Sequence, residues 1–347
     1  MKVRSQHSKT RAAATVTICT GVALCLVRGA HNLSAAGRGS DAQQVTEPRE
    51  VASAAAAGVH LERPAIHTRP IEVNVHMVVV GVTVVDSGGR IITGLNKNNF
   101  RVYDERVSQE IASFSCEDAP ASVGMVFDAS GSMSNKIARS KEALFQFFKT
   151  SNPDDEFMLI DFADRPGLLS SFTSNIEALQ GILASLETGG RTSMLDAIYL
   201  GLNEMKRAHS NRKALVVISD GVDNNSRYSE RDIERAVRES DTQIYAIGIL
   251  EPTMFRWLPG EKSGPALLSR LANLTGGNMF PASSASQLPA IAKEISLELR
   301  NQYTIAYKPS NLIRDGSWRH ISMEVVLPNS QSRLRVYNRA GYYAPTQ

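Results

Sequence analysis

The 347-residue chain is 42% hydrophobic and 21% charged, with a net charge of +3; that balance excludes a wholly disordered polymer and leaves enough apolar material for a full core. The near-neutral charge carries no basic run interleaved with aromatics, so nucleic acid is not the expected partner. The length fits two domains, or one domain with appendages.

The first elements are targeting signals rather than folded structure. MKVRSQHSKTR carries Lys2, Arg4, Lys9 and Arg11 ahead of the apolar stretch AAATVTICTGVALCLV and the small residues Ser34, Ala35 and Ala36. That order predicts a secretory signal peptide over residues 1–36. An uncleaved anchor is the alternative, but a spanning helix wants about 20 apolar residues, and Leu24 before Cys25 is too large for a lipoprotein signal. Export to the periplasm or the extracellular space is therefore expected, with membrane attachment only if the segment is retained. Cys19 and Cys25 fall inside it, so a mature chain would keep Cys116 alone, form no internal disulfide, and carry that cysteine as a small buried apolar residue.

Residues 37–70, rich in Ala, Gly, Ser, Pro and charge, read as a linker or disordered stalk. From Ile71 to Asp118 the texture is β: IEVNVHMVVVGVTVVD, a turn at Ser87-Gly88-Gly89, the run IITGL, then FRVYDERVSQEIASFSC with a polar turn at Asp104 to Arg106. Over 119–301 strands and amphipathic helices alternate. Apolar strands SVGMVFD, DEFMLIDFA, RKALVVISDG, QIYAIGIL and NMFPAS are separated by helical runs, with GLLSSFTS as an edge strand. This is the pattern of an α/β doubly wound, mostly parallel sheet. Ser174 followed by Glu177 predicts a capping box for the helix SNIEALQGILASLE. After Arg300 the helices stop, and QYTIAYKPS, WRHISMEVVLP and SRLRVYNRAGYYA read as three strands over 302–347. The economical arrangement joins 71–118 and 302–347 in one flanking β-sandwich-like unit with the α/β domain inserted between its halves.

In an open α/β sheet, ligands bind beyond the carboxyl ends of the strands. Three segments deliver short oxygen side chains there: Asp128, Ser130 and Ser132 in VFDASGS, Thr192 in TGGRTSMLDAI, and Asp220 in VVISDG. Each alone is a good helix cap or turn residue. Together they are two carboxylates and three hydroxyls with no thiolate or imidazole, a hard-oxygen set suited to Mg²⁺, Mn²⁺ or Ca²⁺, and one that leaves a coordination position for water or an outside carboxylate. Gly131 is expected to supply the freedom for the loop to turn back. Asp223 is expected to be a solvated loop carboxylate, with support of the site from behind its ligands as the alternative. Asp161 and Asp164 are expected in turns or on the surface, Asp196 as a cap or loop contact, and Arg191 turned toward an acidic ligand or solvent.

Asp128-Ala129-Ser130-Gly131-Ser132, Thr192 and Asp220 resemble, in order and position, the metal-ion-dependent adhesion site of von Willebrand factor type A domains. The flanks TGLNKNNFRVYDERVSQEIASFS and LRNQYTIAYKPSNLIRDGSWRHISMEV resemble a wider bacterial family of exported proteins in which such a domain lies between β segments. The resemblance implies that Ser130, Ser132 and Thr192 ligate the ion directly or through water, that Asp128 and Asp220 anchor it, and that the last helix, SQLPAIAKEISLELRNQ, shifts when the site fills. It implies a non-catalytic adhesion module whose ion captures an Asp or Glu carboxylate of a protein or peptide partner. Two rival expectations are a metal-stabilised scaffold component and, more remotely, a metal-dependent hydrolase. For the last, Ser130 stands where a phosphatase of the haloacid dehalogenase type needs a second Asp, no G-x-S-x-G frames either serine, and His76, His209 and His320 stand singly.

Overall fold

The computed structural model describes residues 77–220, 223–249, 264–327 and 333–346. The expected signal peptide, the linker, the chain before 77 and His76 lie outside the described residues.

Alternating valines build the first strand. In β1 (Val78–Val85), Val80, Val82 and Val84 are buried, as a period of two requires of a strand with one face on a core. β2 (Phe100–Asp104), β3 (Val107–Gln109) and β4 (Ile111–Ser115) follow. The run IITGL forms no strand; it makes a bridge from Ile91 to Val85 and holds to β11 through Tyr303 Oη, which donates to Ile92 O at 2.9 Å and accepts from Leu95 N at 3.1 Å. Gly94, at a φ of 79°, breaks its extended backbone. Cys116 is exposed, against expectation, because it follows Ser115, which makes the last pairing of β4 with the strand beside it.

The central sheet contains β5 (Ala121–Asp128), β6 (Glu156–Phe162), β7 (Pro166–Thr173), β8 (Arg212–Ser219), β9 (Gln243–Ile249) and β10 (Met279–Ala282), in the order β10-β9-β8-β5-β6-β7. All neighbours are parallel except β6 and β7. The helices are α1 (Ile137–Thr150), α2 (Ile176–Ser185), α3 (Met194–Glu204), α4 (Glu230–Glu239), α5 (Gly264–Thr275) and α6 (Leu288–Arg300). Every residue of β5 is buried, which is why it reads as a continuous apolar run rather than an alternating one. Val123, Met125 and Phe127 join a core with Leu144 and Phe147 of α1, Leu183 of α2 and Ile295 of α6. Val126 joins the opposite core with Ile198 of α3, Val237 of α4 and Leu268 of α5. The fold is thus a doubly wound α/β sheet. The cap of α2 is Asn175, whose Oδ1 accepts from Ala178 N at 2.9 Å, not Ser174; the helix starts one residue later than expected, and Asn caps as well as Ser.

β11 (Tyr303–Tyr307), β12 (Trp318–Val325), β13 (Arg335–Asn338) and β14 (Gly341–Tyr343) complete the chain. The last run is two strands rather than one. β13 and β14 enter different sheets, and Ala340 between them donates its N–H to Leu274 O at 3.0 Å. The sheets β13-β1-β11-β4 and β14-β12-β2-β3 both mix strands from before and after the α/β domain. Val82, Phe100, Tyr303, Ile305 and Ile321 form their common core. This unit meets the amino ends of the central strands: Gln302 Nε2 donates to Gln243 Oε1 at 2.7 Å and to Tyr245 Oη at 3.0 Å. The carboxyl ends lie at the other end of the parallel strands.

Candidate metal-ion site

β5 ends in Asp128, fully buried. Its Oδ1 accepts from Ser130 N at 2.9 Å, and its Oδ2 accepts from Ser219 Oγ, at the end of β8, at 2.6 Å. Burial pushes the Asp128 carboxyl above its ordinary value; the hydrogen bonds from Ser130 and Ser219 act the other way, and the charge of Asp220 adds to the rise. A 3₁₀ turn over Gly131–Met133 follows, and the Ser130 hydroxyl makes no capping bond to it. Instead Ser130 Oγ lies 3.0 Å from Ser132 Oγ, and Ser132 Oγ donates to Asp220 Oδ1 at 2.9 Å. A continuous row of oxygens therefore runs from the β5 loop to the β8 loop. Gly131 does not take a positive φ, and an added Cβ would meet the Gly190 carbonyl at 3.4 Å, an ordinary contact, so the expected need for glycine's freedom there is not met.

The Thr192 loop is tied to both neighbours by backbone. Gly131 N donates to Gly190 O at 3.1 Å and Gly189 N to Ala129 O at 2.8 Å, while Asn224 N and Asn225 N donate to Thr192 O at 3.0 and 3.1 Å. Thr192 N in turn donates to Asn224 Oδ1 at 3.0 Å. The side chain of Thr192 makes no hydrogen bond among the described residues. It is not the helix cap either: Ser193 occupies that position. Gly190, at φ 75°, makes the turn possible, and Asp164 Oδ1 holds it by accepting from Arg191 N at 2.9 Å. Arg191 is exposed, with its guanidinium 3.3 Å from Asn225 Oδ1.

Several residues have roles that differ from expectation or escaped it. Asp223 is not a solvated carboxylate; its Oδ2 accepts from Leu195 N at 2.9 Å in the first turn of α3. Asp196, by contrast, makes a loop contact as expected: buried, it accepts from Arg227 N at 2.9 Å and Tyr228 N at 3.1 Å. Lys136, which the sequence did not single out, donates to Asp220 Oδ2 at 2.8 Å and to Ser132 O at 3.0 Å. Its signal was a Lys four residues after Ser132, one helical turn on. Ser219 was visible as a lone hydroxyl at the end of an apolar run.

The donor set can be tested against a divalent ion. Among the described residues no group of three His, Cys, Asp or Glu side chains is placed to hold a metal ion. The residues Asp128, Ser130, Ser132, Thr192 and Asp220 offer two carboxylates and three hydroxyls from the ends of β5 and β8 and from the loop between α2 and α3, a set that fits a hard cation and not zinc or copper. His209 and His320 pair with Glu156 and Glu105 and touch neither serine. No described helix is long and apolar enough to cross a membrane.

Residues 123–222 match the family model of the von Willebrand factor type A domain, and this part of the chain is such a domain. The chain is similar to the inter-alpha-trypsin inhibitor heavy chain H4 of Homo sapiens, with 28% identity over 213 residues, 56% of this chain and 22% of the relative. It is also similar to the heavy chain H4 of Bos taurus, with 22% identity over 63% of this chain and 27% of the relative. The chain thus spans 22% and 27% of these curated relatives. Among solved structures, a von Willebrand factor type A protein from Catenulispora acidiphila aligns with a TM-score of 0.46 and 13% identity, over 80% of this chain and 75% of that one.

Proposed function

We propose that the domain is a protein-interaction module that binds Mg²⁺, or Mn²⁺ or Ca²⁺, through Asp128, Ser130, Ser132, Thr192 and Asp220, and so captures an Asp or Glu carboxylate of a protein or peptide partner. The observation that supports this best is the row Ser130 Oγ, Ser132 Oγ and Asp220 Oδ1, with successive gaps of 3.0 and 2.9 Å, above a buried Asp128. A bound divalent ion supplies a Lewis-acidic position for the partner's carboxylate oxygen. The chain's own residues do the rest. Asp128 is held on both oxygens, backbone hydrogen bonds tie the loop that carries Thr192 to the loop of Ala129 and Gly131, and exposed Arg191 would offer a second positive contact.

A scaffold role in which the ion ties the loops together is less well supported, because Gly131, Gly189, Asn224 and Asn225 already tie them through backbone hydrogen bonds. Export to the envelope or beyond completes the proposal and rests on the N-terminal pattern of basic, apolar and small residues. The test is capture from envelope extract by the immobilised chain, in Mg²⁺ and again in excess chelator. Retention of a partner in Mg²⁺ alone, lost in Thr192→Ala and competed off by acetate, is the expected result. Retention indifferent to chelator and to the substitution would overturn the reading.

A further inference from the structure

The side chain of Lys136 is 1% exposed and that of Asp220 8% exposed, and the two meet at 2.8 Å. This is an unusual place for a lysine. Lys136 is the cap residue of α1, where the helix dipole already presents its positive end and repels a cation. Its ammonium is far from water, so what holds it must be specific: Asp220 Oδ2 at 2.8 Å and Ser132 O at 3.0 Å. Asp220 thereby divides its two oxygens, Oδ1 to Ser132 Oγ in the oxygen row and Oδ2 to Lys136.

We propose that Lys136 is a built-in cation that sets the ion affinity of the adhesion site; the inference rests on the reading of that site as a divalent-ion site. Two consequences follow from counting charge. With Lys136 in place, the cluster Asp128, Asp220 and Lys136 carries one net negative charge rather than two, so it attracts a divalent ion less strongly. The loaded site then keeps one net positive charge, which favours an incoming carboxylate. Lys136 also keeps Asp220 aimed at Ser132 when no ion is bound, so the site stands assembled in the empty protein. It is a positioning residue: the ligand oxygens belong to its neighbours.

The test is Mn²⁺ titration of the full chain by calorimetry, comparing wild type with Lys136→Met and with Lys136→Gln, the second of which keeps a hydrogen-bond donor and folds if the first does not. Removing one positive charge a few ångströms from the ion should tighten Mn²⁺ binding at least about tenfold. The ion-free variants should melt lower than wild type and regain that loss with Mn²⁺. A purely structural Lys136 would move the melting temperature without tightening the ion. Mn²⁺ uptake by wild type with equal or weaker affinity in the variants overturns the inference alone. Uptake by none of the chains overturns the inference and the underlying site together.

Discussion

The two ends of the central sheet bury acids in opposite ways. At the carboxyl edge, Asp128 accepts from Ser130 N and Ser219 Oγ, and Asp220 is matched by Lys136 and Ser132. Each oxygen of these two carboxylates has a partner. Toward the other end, where α6 runs down to the β unit, Glu298 is buried with Oε2 unpartnered among the described residues. Burial, with help from the charge of Glu294, pushes its carboxyl up to about 8. Burial raises both Asp128 and Glu298; in the first arrangement donors on both oxygens oppose the rise, whereas in the second one oxygen is left without a donor and the acid is kept neutral.

Four substitutions separate the two ends experimentally. The largest effect is expected of Asp128→Ala. Losing a mere supporting contact around a metal ligand costs ten- to a hundredfold, so losing this carboxylate should weaken Mn²⁺ binding by more than about a hundredfold, with far-UV circular dichroism unchanged. Lys136→Met comes next: leaving Asp220 buried without its partner should cost roughly 3–5 kcal/mol of ion-free stability in denaturant melts.

Glu298 is the test at the opposite end. Its folded value, about 8, lies above the ordinary 4.5, so its contribution is fully present below the ordinary value and is lost as pH rises through about 8. Wild-type stability should fall by on the order of a few kcal/mol between pH 6 and pH 9, and Glu298→Gln should flatten that slope while leaving ion binding alone. Gly190→Ala should have the smallest effect on stability. A side chain at φ 75° costs about 1–2 kcal/mol, and the new Cβ would lie 2.7 Å from Asp164 Oδ2, displacing the turn that carries Thr192. Chemical denaturation should register the cost, and Mn²⁺ affinity should drop.

Much of the α/β domain was legible because its strands are apolar runs and its helices carry 3.6-residue periodicity, both local signals. The candidate ligands were legible because Asp128 and Asp220 close such runs and Thr192 follows a Gly pair. What escaped depended on distant partners or on single-residue shifts. Lys136 reads as an ordinary helix-start charge until Asp220, 84 residues away, is folded against it. Asp223 and Asp164 read as loop acids until the backbone N–H groups they accept from are known. Cys116 reads as buried by its composition, yet exposure is decided by where β4 stops pairing. The division of the last run into β13 and β14 was set by contacts outside its own window, whereas the Asn175 cap is a local shift of one residue.

Mn²⁺ titration of wild type against Asp128→Ala under one buffer condition decides whether these oxygens hold a divalent ion. Saturable binding of one ion per chain in wild type, abolished in a variant that remains folded, is the predicted result. Absence of binding in wild type, or equal binding in both chains, would contradict it.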